Sequence, residues 1–563
     1  MSEPDREIEG IKEGFGIIVA GFHKSDSKPQ TEDWIFEQQV MTHIDAVAKH
    51  SIQYHTMGRL NLGCYRMYEL AQLYMRHGRY GEALEWYTVV LAEEEKEFGV
   101  DHPDTLTTIY GMALVFDKKG QYDTALEWYG RALAGEEKAL GSDHPSTLAT
   151  VHCMASVFHK QGQYDKALEW NGRALAGDEK ALGVDHPNTL ATVHNMASVF
   201  VEQGQYDKAL EWYGRALSGR ENVLGLDHPE TLTTVHGMAS VFNTQGQYDK
   251  ALECTWYGRA LSSCEQVLGV DHPDTLAILH GMASVFHKQG QYDKALEWYG
   301  RALAGEEKAL GVDHPETLST VHGMAKVFDK QGQHDTALEW YGRALAGQEK
   351  ALGVDHPDTL ATVHGMASVF EQQGQYDRAL EWYGRALAGK EKALGSDHTS
   401  TLTTVYGMAS VFDKQGQYDK ALEWYGRALA GREQALRSDH PNTLATIHGM
   451  ASVFDKQGQY DTALEWYGRA LSGQEKALGV DHPDTLVTIH GMALVFDKQG
   501  QYDMALEWCG RAFAGQEKVI GTNHPSTQLT IRRLIDLHEK TGHTEQAQSL
   551  RASLCVPTTP PIN

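Results

Sequence analysis

The chain has 563 residues, 41% of them hydrophobic, which is enough apolar matter for a buried core. Its formal charge of −26 repels phosphate backbones and anionic headgroups, so nucleic acid and membrane surfaces are discounted as partners while a basic protein segment is compatible. Its six cysteines (Cys64, Cys153, Cys254, Cys264, Cys509 and Cys555) form no CxxC pair, which suits a reducing compartment better than a disulfide framework.

In chain order, the first stretch, MSEPDREIEG, is acidic and lacks the basic n-region of a signal peptide. The apolar run from Gly16 to Phe22 is too short to span a bilayer, so a cytoplasmic location is expected. Residues 1–31 carry no assignable pattern, and residues 32–56 read as a helical lead-in. From residue 57 to residue 555 a single period governs the chain. Its marker is His-Pro-x-Thr-Leu. His102, His144, His186 and His228 stand 42 residues apart, His272 follows at 44, and His314, His356, His398, His440, His482 and His524 resume the spacing of 42. The Pro-rich tail over 556–563 is expected to be disordered.

Each unit reads as two helices. Pro103 suits the first position of a helix A. Ile109, Met112, Ala113 and Phe116 follow as an apolar stripe at helical spacing. Gly120 ends this helix in the left-handed conformation, and Asp123 is expected to cap helix B. Ala125, Leu126, Trp128, Tyr129, Ala132, Leu133, Ala139 and Leu140 fall within half of helix B's circumference and are expected to be buried. A lone hairpin cannot cover that face. Stacked copies can, which makes the expected fold class all-α, an α-solenoid of about twelve helical hairpins wound as a right-handed superhelix.

The ladder of small and aromatic residues resembles the tetratricopeptide repeat. Met112 and Ala113 stand at its Leu-Gly pair, Phe116 at its first aromatic, and Ala125, Tyr129 and Ala132 at its Ala, Phe and Ala. The 42-residue length and the His-Pro-x-Thr-Leu start resemble the kinesin light chain variety. The first unit keeps the ladder (Leu70, Ala71, Tyr74, Ala83, Tyr87) without the His-Pro start. The last decays after His524-Pro525, with Arg551 at the second-helix aromatic, and reads as a polar cap. Residues 1–56 are too short for a light chain's coiled coil and show no sustained heptads, so motor binding is not carried over. His-Gly replaces the paired asparagines of that family's groove, Asn195 excepted. The near-identical ALEWYGRALAG units and residues 32–56 also resemble the arrays of fungal NLR-type receptors, yet no GxxxxGK[ST] loop occurs, so no NTPase is present in the sequence.

The resemblance implies a non-enzymatic scaffold or adaptor that binds other proteins along a groove lined by helix A. The alternatives are a sensor fragment related to NLR-type receptors and a kinesin-associated cargo adaptor. Three columns would line the groove. The first holds His152, His194, His236, His280, His322, His364, His448 and His490, with Tyr110 and Tyr406 in register. The second is mostly serine (Ser156, Ser198, Ser240, Ser284, Ser368, Ser410, Ser452), interrupted by Lys326. The third turns acidic through Asp329, Asp413, Asp455 and Asp497, which would favour a basic partner segment. The most variable column lies in helix B: Glu136, Asp178, Arg220, Cys264, Glu306, Gln348, Lys390, Arg432, Gln474, Gln516. Such drift is expected of a solvent- or partner-facing position. The Trp ladder from Trp86 to Trp508 is expected to pack structurally.

No metal or cofactor is expected, even with 29 histidines. His280 and His287 are two turns apart, roughly 10 Å by helical rise, and His538 to His543 is one residue longer than HExxH. No GxSxG occurs, and every Ser or His candidate recurs as a column, whereas a catalytic site is singular. The one irregular joint is Cys254-Thr255, two extra residues inside a helix B. They rotate the rest of that helix by about 200° and so call for a local bulge. Asn171 and Cys509 replace the core tyrosine and are expected to weaken their own units.

Overall fold

The computed structural model describes residues 63–554, apart from 227, 246, 248–260, 262–264, 266–268 and 523–524. The segments 1–31 and 32–56, the joint at Cys254-Thr255 and the tail 556–563 lie outside the described residues. Among those described there are twenty-three α-helices and no strand. All but Pro229–Thr244 pair as hairpins among the described residues, beginning with Cys64–Arg76 and Tyr80–Glu97, then Pro103–Lys118 and Tyr122–Ala139, and ending with Pro525–Lys540 and Thr544–Leu554. This is an all-α solenoid. By its contacts the chain divides into two compact units. Of the described residues, those of 63–201, 205–240 and 261–395 form one, and those of 202–204, 241–247 and 396–554 form the other. Within each unit, a helix B packs on its own helix A and on the helix A of the next hairpin.

Local chemistry sets each hairpin. Helix A opens with proline at its first turn, and the preceding histidine is the N-cap: His102 Nδ1 accepts the Asp104 N–H at 3.3 Å, and His356 Nδ1 accepts that of Asp358 at 3.1 Å. An imidazole thus does what a Ser or Asp does at most helix starts. His398 caps in the same way although Thr399 replaces the proline. Gly120 closes helix A at φ 68°, and the Gln121 N–H returns to Phe116 O at 2.9 Å, a Schellman-type closure. The expected cap at Asp123 is corrected. Gln121 holds the N-cap position with no side-chain bond, and Asp123 lies in the first helical turn, where its carboxylate accepts from Gln161 of the next hairpin at 2.8 Å. An acid there still favours the positive helix start.

The expected core stripe is buried at Ile109, Met112, Ala113, Ala125, Tyr129, Ala132 and Leu133, with Phe116, Leu126, Trp128 and Leu140 half-buried. Ala139 is exposed, whereas Ala309 at the same register is buried. One glycine per helix B permits a close crossing of the hairpin's own helices: a Cβ at Gly305 would collide with Leu276 Cδ2.

The two units also contain contacts for which the sequence gives no sign. In the first unit, the ring of His314 turns its Nε2 toward Arg76 O at 3.4 Å and that of His356 toward Lys118 O at 3.1 Å. In the second, His482 Nε2 lies 3.0 Å from Thr244 O. Each ring accepts at Nδ1 and donates at Nε2, which fixes it as the neutral tautomer.

Candidate functional site: the helix A face

The first column sits at the seam between successive hairpins. Nδ1 of His280, His322 and His448 bonds the Thr320, Thr362 and Thr488 hydroxyls of the following hairpin at 2.8, 2.9 and 3.0 Å, and His490 pairs with Thr530 at 3.3 Å. His194, His280, His322, His364 and His448 each stand edge-on to the core tyrosine of their own hairpin, with centroids 5.1–5.3 Å apart. His152 departs from this. Its hairpin has Asn171 for the tyrosine, and its Nε2 lies 2.8 Å from Asp178 Oδ2. All of these rings are half-buried. Burial pushes His194, His236 and His448 down to about 4 and His322 and His364 to about 3, and lowers His280 and His490. These seven rings are therefore neutral at pH 7, and those of His280, His322, His448 and His490 are bonded across the seam.

The third column is not a bare acidic wall. Asp117, Asp413 and Asp455 pair with Lys160, Lys456 and Lys498 of the next hairpin at 2.7, 2.6 and 2.7 Å. Asp497 is held by Lys540 at 3.0 Å and Arg533 at 2.6 Å. Asp329 accepts from Gln372 at 3.2 Å and lies 3.5 Å from His334 Nδ1. Each carboxylate lies next to a half-buried seam and recruits a cation or amide forty-three positions on. The basic partner expected of Asp329, Asp413, Asp455 and Asp497 therefore meets charges that are already engaged.

The variable column of helix B is corrected more sharply. Among the described residues it is buried, from Asp178, Gln348 and Lys390 at 2% exposure to Glu136 at 5%. It faces a threonine on the next helix A. Thr150 donates to Glu136 at 2.7 Å, Thr192 to Asp178 at 2.9 Å and Thr362 to Gln348 at 2.7 Å, whereas Arg220 and Arg432 donate to Thr234 and Thr446 at 2.7 and 2.6 Å. A hydroxyl both donates and accepts, so one fixed threonine satisfies an acid, an amide or a guanidinium. That is why the column drifts while buried. The second threonine of His-Pro-x-Thr-Leu-x-Thr is the residue that sequence reasoning missed, and its recurrence from unit to unit was the signal that could have found it.

The family model described as the tetratricopeptide repeat matches overlapping stretches 64–138, 113–180, 146–222, 190–255, 254–308, 274–350, 316–392, 358–434, 400–476 and 442–508. The chain belongs to the tetratricopeptide repeat family. No curated protein matches it. Among solved structures it is similar to a Podosopora anserina protein of nearly identical TPR-like repeats, provisionally classed as a kinesin light chain, at 31% identity, over 36% of this chain and 97% of that one, with a TM-score of 0.32. BtubC (BKLC) from P. vanneervenii is 17% identical over 44% of this chain and 94% of its own, with a TM-score of 0.33. A Rap protein complexed with Competence and Sporulation Factor is 14% identical over 65% and 96%, with a TM-score of 0.44.

Within these tetratricopeptide hairpins the tryptophans form a layered seam. Trp128 lies beside Phe116 with centroids 6.2 Å apart, and the Arg131 guanidinium lies over its ring at 5.4 Å while pairing with Glu95 of the preceding hairpin. The arrangement recurs at Trp170, Trp212 and Trp340. Among the described residues no three His, Cys, Asp or Glu side chains are grouped to hold a metal ion, and no helix is long and apolar enough to cross a membrane.

Proposed function

We propose that the chain is a non-enzymatic protein-interaction scaffold that holds partner segments along its helix A face. Membership of the tetratricopeptide repeat family supports the scaffold. The observation that carries the choice of face is the regular exposure of helix A at one register. Ser156 is exposed and Ser198, Ser368 and Ser452 are half-buried, beside the half-buried histidine column, so an extended segment running across these hairpins would meet a polar group on each. Every such group recurs from copy to copy, which suits distributed recognition and offers no single copy equipped for catalysis. The engaged carboxylates do not favour a basic segment.

Site-specific photocrosslinking tests this reading. Crosslinkers placed at Ser156, Ser198, Ser368 and Ser452 should capture partner proteins from native extract, and crosslinkers at the exposed helix B positions Glu127, Glu211, Glu381 and Glu465 should not. Capture confined to the helix B positions would reject the helix A face.

A further inference from the structure

The first described hairpin differs from those that follow at the crossing of its two helices. In Pro103–Lys118 and Tyr122–Ala139, Leu106 of helix A lies over Gly135 of helix B, where a Cβ would collide with it. Leu148 over Gly177 and Leu190 over Gly219 repeat the contact. One repeat before Leu106 and Gly135, the pair is Cys64 and Glu93. A short thiol and a charged side chain do not close such a crossing, and Cys64 is left half-buried with Glu93 exposed. On the same helix B, Glu97 and Phe98 stand where the next one has Ala139 and Leu140. The crossing opens into a pocket of about 620 Å³, walled by the starts of both helices A and the end of Tyr80–Glu97.

Two polar atoms at this pocket lack partners. At the corresponding register Thr150 donates to Glu136 at 2.7 Å and Thr192 to Asp178 at 2.9 Å. Between Thr108 and Glu94 that bond is not closed. Thr108 Oγ1 and Glu94 Oε2 are buried without a hydrogen-bond partner among the described residues, although both side chains line the pocket. Glu94 is 4% exposed. The first column does not help here. His280 and His322 bond the threonine of the following hairpin, whereas Tyr68, at the same register, accepts at its hydroxyl from Gln72 Nε2 at 2.8 Å. Glu93, Glu97 and Asp104 stand exposed at the rim, and Tyr65, Tyr68 and Phe98 add aromatic rings. Phe98 is stacked on His102 with centroids 4.7 Å apart, and Tyr68 meets Tyr87 edge-on at 5.7 Å. Burial first, and then Glu94, Glu97 and Glu93, raise the Cys64 thiol above its ordinary range, as negative charge gathered on this pocket requires.

We infer that this pocket binds an aliphatic polyamine, with one ammonium seated on Glu94 and Thr108 and a second held among the rim carboxylates. An ammonium brings three N–H donors and no acceptor, which supplies the donors that Glu94 Oε2 and Thr108 Oγ1 lack. A buried carboxylate is costly until it is paired and hydrogen-bonded, and a cation does both at once. Glu93 and Glu97 lie one turn apart on one helix face, and a cation between them relieves their repulsion. Aromatic rings beside an ammonium add cation–π attraction, and the methylenes of the ligand lie against the apolar part of the wall at Met67. The volume falls within the roughly 300–1,000 Å³ of small-ligand sites. A single metal ion suits the site less, since among the described residues no three His, Cys, Asp or Glu side chains are grouped to hold one. The inference goes beyond the scaffold reading and stands without it, because three of its four carboxylates belong to helix B.

Isothermal titration calorimetry of spermidine into the full chain provides the test, at about 0.15 M salt, where attraction to scattered surface carboxylates is largely screened. Glu94→Gln removes the buried charge with a side chain that the fold accepts at Gln348, and Glu97→Ala restores the residue found at Ala139. Each should weaken spermidine binding about tenfold in Kd. Glu85→Gln removes the same charge from an exposed helix B position outside the pocket and should leave Kd unchanged. Should Glu94→Gln disturb folding, Glu97→Ala still tests the site, because its position is exposed. No spermidine binding, equal binding by wild type and both pocket variants, or an equal loss in Glu85→Gln overturns the proposal. The photocrosslinking result stays separate, since partner capture on helix A neither requires nor supplies spermidine binding here.

Discussion

Gly323 lies directly beneath the Tyr299 ring of the preceding hairpin, so that a Cβ built on it would come within 2.8 Å of the ring's Cζ. The same glycine–tyrosine contact recurs at Gly365 and Tyr341 and at Gly491 and Tyr467. Adjacent hairpins are thus spaced by a missing side chain. Gly323→Ala should destabilise the array by about 1–3 kcal/mol through overpacking. Gly300→Ala, with nothing within 4 Å, should be neutral or stabilise by up to about 1 kcal/mol through helix propensity. Chemical denaturation of the two variants measures the contrast, and equal effects would refute a steric role for Gly323.

The exceptions in this contact include Cys153 opposite Tyr129 and Arg533 opposite Cys509, and one exception pairs two asparagines. Asn171 replaces the tyrosine in one hairpin and Asn195 replaces the opposing glycine in the next, at the same separation of 24 residues that relates Tyr299 to Gly323. Asn171→Tyr alone should gain little or lose stability, whereas Asn171→Tyr with Asn195→Gly should stabilise. The double-mutant cycle should show a coupling of at least about 1 kcal/mol. Additive effects would break the pairing.

Acid should destabilise the protein through its histidines. Burial holds His194, His236, His314, His440 and His448 at about 4, below their ordinary value of 6.5. Between those values the unfolded chain binds more protons than the folded one, so stability is full above pH 6.5 and declines as the pH falls toward 4. Glu306 opposes this, since burial raises it to about 7 and its contribution declines as pH rises. It is outnumbered. Melting curves at pH 7.5 and pH 5 should differ by on the order of 5–10 °C, lower at pH 5. An unchanged or higher Tm at pH 5 would contradict the burial of the column.

Glu306 itself gives a sharper pH test. At the same position Gln348 accepts from Thr362 and is nearly fully buried, so a neutral amide fits there. Above pH 7 the wild type must hold a buried carboxylate that Glu306→Gln does not. The variant should be more stable by about 2 kcal/mol at pH 8 and equal to wild type at about pH 3.5, below both the folded and the unfolded value of the carboxyl. A difference independent of pH would assign the effect to packing.

Much of the fold could be read from residue order. The period, the His-Pro starts, the glycine stops and the 3.6-residue apolar stripe are local or repetitive signals, and each marks a helix or its end without knowledge of its neighbours. The candidate face was legible only in outline. The register of the histidine and serine columns follows from helical geometry, but their partners lie forty positions away on another hairpin. The Asp329–Asp497 column looked acidic because sequence shows charge without its counter-charge, and only stacking brings Lys456 to Asp413.

The sequence by itself determined that this protein is a run of helical hairpins with one apolar ladder, because helix formation and amphipathic burial depend on spacing within a few turns. Only the tertiary structure decided that the variable helix B column is buried against threonines and that aspartates of the third column meet lysines of the next hairpin. Those outcomes depend on what the next hairpin presents across the seam, and variation along a chain does not report burial when a hydroxyl opposite can satisfy any polar group.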